Sequence, residues 1–134
     1  MATALYPKFK QAMLDGLSPG LDTADIRAIL IDAADYTYDT AHDFLDDVAG
    51  AARVAVSSTL GSVTITDGVL KTAAFAFTAV TGDVSEAVIL YIHDGGADSA
   101  RRLIGYFDNL SGLPITPNGQ DINVTVHASG WFAI

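Results

Sequence analysis

Six aspartates, Asp32, Asp35, Asp39, Asp43, Asp46 and Asp47, with His42 among them, form the densest group of chemically capable side chains in this sequence. A hard cation such as calcium accepts oxygen ligands of that kind. Their spacing departs from the Asp-x-Asp-x-Asp-Gly loop that wraps such an ion, so the sequence predicts helix caps and a solvated acidic face, with no metal bound. His42, His93 and His127 lie far apart, and no two have the i, i+4 placement that brings paired imidazoles to one zinc on a helix. Asp94-Gly-Gly-Ala-Asp98-Ser is glycine-rich but lacks the lysine of a phosphate-binding loop, and it reads as a hairpin loop. Glu86 is the only glutamate, no Gly-x-Ser-x-Gly occurs, and there is no cysteine. A carboxylate-pair glycosidase, a nucleophile elbow and a thiolate centre each lack their parts. The expectation is a non-enzymatic protein with no catalytic residues, no cofactor and no metal.

Charge narrows the partners. Seven Lys and Arg stand against 16 Asp and Glu, a formal net charge of -9, and Arg101-Arg102 is the only adjacent basic pair. Binding to a phosphate backbone needs a basic stripe, so direct nucleic-acid contact is not expected. The longest apolar run, Ala87 to Ile92, is far too short to span a bilayer, and the N-terminal residues lack a basic segment followed by an apolar run. The sequence therefore predicts a soluble protein made in the cytoplasm, without a membrane partner.

Half the residues are apolar, enough to build a core and to argue against disorder. Residues 4–15 place Leu5, Phe9, Ala12 and Met13 on one helical face, with Pro7 tolerable in the first turn and Gly16 suited to ending the helix. Residues 26–32 fit both helical and strand spacing, and the isoleucines favour a strand. Thr40 to Val48 reads as a second short helix, capped by Thr40. From Arg53 onward short strands follow one another over 53–58, 62–66, 69–80, 86–93, 101–108, 122–128 and 131–134. Asp67-Gly68 is placed as a two-residue hairpin turn. Val88, Leu90 and Ile92 alternate with Ala87, Ile89 and Tyr91, so that strand is apolar on both faces and belongs at the centre of a sheet. The fold class expected is mainly β, at the margin of α+β. Its architecture is an antiparallel β-sandwich or small barrel of seven to eight short strands, with an N-terminal helix and a second short helix. Residues 1–134 read as a single domain, the helix-containing 1–50 packed on the β-rich 51–134.

Strand-like sequence runs to the final residue. Ser129-Gly130 turns the chain into Trp131-Phe132-Ala133-Ile134 as the second arm of a closing hairpin, with Trp131 and Ala133 on one face and Phe132 and Ile134 on the other. One face covers the core, and the other must lie under Leu5, Phe9 and Met13 or against a neighbouring protein. Leu5, Tyr6, Phe9, Trp131, Phe132 and Ile134 are thus the candidate interface residues.

Ala4-Leu-Tyr-Pro-Lys-Phe-Lys-Gln-Ala-Met13, Asp32-Ala-Ala-Asp-Tyr-Thr37, His42-Asp-Phe-Leu-Asp-Asp47, Phe77-Thr-Ala-Val-Thr-Gly-Asp83 and Leu113-Pro-Ile-Thr-Pro-Asn-Gly119 together resemble a family of small virion proteins of tailed bacteriophages. The resemblance spans nearly the whole chain and rests on the order and spacing of these segments, not on a chemical motif. It implies a many-copy structural protein of the virion, a capsid decoration or cement protein bound to the outer shell. The implied partners are the major capsid protein and copies of itself, with a trimer as one arrangement. A tail or head–tail connector component and a glycan-binding module on the virion surface are the alternatives.

Overall fold

In the computed structural model, which describes residues 4–17, 20–94, 96–110 and 112–133, the most apolar runs of the chain lie side by side. In chain order the elements are Ala4–Leu5 (β1), the helix Pro7–Leu14 (α1), Ile26–Ile31 (β2), Arg53–Val56 (β3), Thr64–Thr66 (β4), Val69–Lys71 (β5), Phe75–Phe77 (β6), Ala87–Ile92 (β7), Leu103–Phe107 (β8), Ile122–Val124 (β9) and Phe132–Ala133 (β10). They form a five-stranded sheet of order β1-β8-β7-β2-β3, a three-stranded sheet β10-β5-β4 and a two-stranded sheet β6-β9. Every pairing is antiparallel. The fold is mainly β with one α-helix among the described residues, in the α+β manner.

β7 is the middle strand of the large sheet and every one of its residues is buried. That follows from its apolar alternation, since a strand with no polar face is stable only when both faces are covered. β2 pairs with it along its whole length, from Ile26 opposite Ile92 to Ile31 opposite Ala87. The isoleucines that left the helix and strand readings open are therefore strand residues, as the sequence predicts.

The two faces of this sheet are chemically different. Successive side chains on a strand point to opposite faces, so Tyr106 and Phe107 of β8 lie on opposite sides. Tyr106 meets the rings of Tyr36 and Tyr38, each 6.1 Å away, carried by the long loop after β2. Phe107 meets Trp131 at 5.0 Å and Phe132 at 6.4 Å, and Phe132 in turn meets Phe9 of α1 at 6.3 Å. The C-terminal strand thus lies against the N-terminal helix, one of the two arrangements its alternation allows.

Several expectations are corrected. The second helix over Thr40 to Val48 is absent: Phe44 bridges to Arg102, Leu45 donates its N–H to the Arg101 carbonyl, and only a 3-10 turn, Leu45–Asp47, remains. Aspartates compete with helical hydrogen bonds there; Asp39 Oδ1 accepts the Ala41 N–H and Asp47 Oδ2 accepts the Asp43 N–H. The N-terminal helix starts at Pro7 because Ala4–Leu5 pairs with β8. The long strand over 69–80 divides into β5 and β6, which join different sheets, and with β1 this makes ten strands among the described residues in place of seven to eight. The final segment does not close a hairpin with 122–128, since β9 pairs with β6 and β10 with β5. The Asp67-Gly68 hairpin turn is as expected, with φ of 52° and 77° between β4 and β5.

One arginine ties the irregular segment to the sheet. The Arg53 guanidinium donates to the carbonyls of Leu45 and Val48 and to Asp98 at 2.9 Å. The hydrogen bond from Arg53 holds the Asp98 carboxyl below the usual aspartate range. With its pKa depressed on folding, Asp98 adds stability that is present above the ordinary aspartate value of about 3.9 and is lost as pH falls through the folded value. Melting followed from pH 5 down to pH 2 is expected to show a steeper acid loss for the native chain than for Asp98→Asn. Identical acid limbs would remove this role.

Candidate functional site

An open groove of about 420 Å³ runs between the C-terminal end of α1 and the β4–β5 hairpin. Met13, Leu17, Leu21, Ile65, Leu70 and Phe132 line it, and among the described residues no charged side chain does. Its walls come from the helix end with the loop that follows it, which supplies Leu17 and Leu21, from a hairpin and from the C-terminal strand. The helix presents Met13 before it ends at Asp15, the tight turn at Asp67-Gly68 sets Ile65 and Leu70 on the facing hairpin, and β10 brings Phe132 beside Leu70. Ile65 is 46% exposed and Leu14, on the last turn of α1, is 90% exposed. On a chain with 16 acidic residues, such an apolar surface is chemically distinct. Its lining side chains carry no group that transfers a proton, and it suits apolar side chains of another molecule.

The candidate interface residues divide. Tyr6 and Phe9 are fully buried and Trp131 is 6% exposed. The Tyr6 hydroxyl shares a 2.6 Å hydrogen bond with that of Tyr36, and Trp131 Nε1 donates to Thr72 Oγ1 at 2.8 Å. Tyr6 and Trp131 are spent inside the fold, because each amphipathic ring finds its polar partner there, and Phe9 packs in the core against Phe132. Leu5 and Phe132 are half-buried, and only Phe132 lines the groove. Ile134 lies outside the described residues. The groove residues Met13, Leu17, Leu21, Ile65 and Leu70 were not among the candidates. Met13 alone carried a signal, its place on the apolar face of the helix.

The acidic cluster separates into two groups. Oxygens of Asp32, Asp35 and Asp83 lie within 4.8 Å of one another, as do those of Asp43, Asp46 and Asp47, while Asp39 joins neither. Asp83, from the Gly82 turn, comes from far along the sequence. Asp32 Oδ1 accepts the Ala34 N–H and Asp39 Oδ1 that of Ala41, the turn-forming use expected of short acidic side chains. Burial works to raise the Asp47 carboxyl, but hydrogen bonds from Asp43 and Phe44 outweigh it and hold it below the usual range.

Each histidine has its own surroundings. His42 Nδ1 is 2.8 Å from the Tyr36 hydroxyl, at the outer end of the Tyr6–Tyr36 pair. Burial pushes the Tyr6 hydroxyl far above its ordinary value, and burial likewise pushes Tyr36 up to about 12. Both therefore stay neutral hydrogen-bonding groups through the physiological range. His93 sits 3.1 Å from the Tyr91 hydroxyl and 3.4 Å from Arg101, held below the usual histidine range by burial and by the charges of Arg101 and Arg27. His127 Nε2 is 3.4 Å from the Asn109 carbonyl. No protein-family model matches the chain, and no curated protein matches it.

Proposed function

We propose that this chain is a non-enzymatic structural protein of a tailed-phage virion, present in many copies on the outer capsid surface as a decoration protein that binds and stabilises the shell. The resemblance in its ordered segments supports the virion role, and the uncharged groove beside α1 is the observation that supports docking. In this reading the major capsid protein supplies apolar side chains to the groove, at about 25 cal/mol for each Å² of apolar surface removed from water. A shallow contact repeated over many copies then strengthens through avidity and mass action, and clustering into trimers would add to it. The same reading takes the five-stranded sheet as one layer of a β-sandwich and the two smaller sheets as the other.

Adding the protein to bare capsids is expected to raise the temperature at which the shells open, with saturation at a fixed number of copies per shell subunit. Ile65→Asp, at a half-exposed position, is expected to fold normally and to lose binding, since it places a charge in the apolar contact. Labelled protein found only at one vertex or along the tail would overturn the decoration reading.

A further inference from the structure

β3 has a free outer edge. Among the described residues it pairs only with β2, and the Ser57 N–H donates to the Ala28 carbonyl at 2.8 Å. In antiparallel pairing the next residue faces the other way, so Val56 turns its main-chain N–H and C=O away from β2. No main-chain hydrogen bond reaches Val56 from that side among the described residues. Unprotected edges are ordinarily covered, charged or broken by proline, yet residues 54–58 contain neither charge nor proline. Facing this edge across a slot of about 370 Å³ runs segment 76–81. Both walls consist only of Ala, Ser, Thr and Val, so side chains fill little of the space between them.

Carboxylates stand beyond the Val54 end of the slot, where Arg53 is engaged by Asp98. A Cβ on Gly82 would lie 3.6 Å from Val54 Cγ1, which brings Asp83 to the Val54 end, and the Asp32 N–H donates to the Ala52 carbonyl just before β3. Asp83 and Asp32 belong with Asp35 to one carboxylate group. The slot thus offers the outward main-chain N–H and C=O of Val56, with negative charge beyond one end.

We propose that this slot receives an extended segment of another polypeptide, with small uncharged residues along the slot and a Lys or Arg meeting Asp32, Asp35 and Asp83, which adds to β3 as a sixth strand. Main-chain pairing supplies the binding and the charge fixes the direction of the segment. A residue-by-residue strand rise of about 3.3 Å makes the wall from Val54 to Ser58 long enough for four or five paired residues. The proposal stands apart from the virion reading, because the slot shares no lining residue with the apolar groove and would serve any partner with such an arm.

The test is a titration of the protein with the capped peptide Lys-Val-Thr-Val-Ser-Val, followed by amide exchange and by fluorescence anisotropy. Exchange of the Val56 amide is expected to slow on binding. Val56→Pro removes that outward N–H without touching the bonds to β2 and is expected to weaken binding about tenfold, the loss of one unreplaced hydrogen bond. Asp83→Asn is expected to weaken binding and flatten its salt dependence. A peptide N-methylated at alternate residues, tested on the unaltered protein, is expected not to bind. Unchanged exchange at Val56, equal binding of the methylated peptide, or pairing of β3 with β3 of a second copy in place of the peptide would each overturn the proposal.

Discussion

Trp131→Ala is expected to lower the melting temperature by roughly 10–20 °C, the largest single-residue effect anticipated outside the central strands. The indole is 6% exposed, sits edge-on to Phe107 at 5.0 Å and stacks on Phe75 at 6.0 Å. It therefore joins three separate parts of the chain. Its truncation leaves a cavity among aromatic neighbours and strips Thr72 Oγ1 of its donor, a change that costs about 3–5 kcal/mol for a buried tryptophan. Trp131→Phe keeps most of the volume and loses the hydrogen bond, so it is expected to fall between the two. Deleting residues 131–134 removes β10 as well and is expected to leave no cooperative transition by calorimetry. A deletion variant that melts like the native chain would show the C-terminal strand to be dispensable to the fold.

Gly130→Ala is expected to destabilise by about 3 kcal/mol through two separable causes, left-handed backbone strain and a lost main-chain bond. Gly130 has φ of +91°, and a Cβ there would stand 2.5 Å from the Leu70 carbonyl oxygen. That oxygen accepts the Trp131 N–H at 2.8 Å, so relieving the clash breaks the bond that starts β10. Gly112 provides the control. Its φ is +90°, but a Cβ would meet nothing within 4 Å, so Gly112→Ala carries the strain alone. Urea titrations of both variants should place Gly130→Ala well below Gly112→Ala. Equal midpoints would mean that β5 and β10 can separate slightly without loss.

These seam residues also mark where sequence reading reaches and where it stops. β7 was legible as a buried central strand because the apolar pattern of residues 87–92 leaves no alternative. The Asp67-Gly68 turn was legible because two consecutive positive φ angles restrict the residues that can occupy it. Residues 40–48 were misread because their helical spacing is local, whereas Phe44 and Leu45 are held by Arg102 and Arg101, nearly 60 positions away. The strand from Val69 divides for a similar reason: Leu70 pairs with Phe132, and Phe77 with Ile122. The groove itself left almost no trace in the sequence. It is assembled from a helix end, a hairpin and the C-terminal strand, and no window along the chain contains more than one of them.

The division of aromatic rings between the two faces of the large sheet has a spectroscopic consequence. Tyr6, Tyr36, Tyr38 and Tyr106 gather on one side, whereas the chain's single tryptophan sits on the other with Phe75 and Phe107. Light absorbed only by the indole therefore reports on the side that contains β10, while tyrosine bands in the near ultraviolet report chiefly on the loop side, with the fifth tyrosine, Tyr91 beside His93, contributing from β7. Unfolding watched at the two wavelengths would reveal which layer peels from the sheet first, with no label attached to the protein.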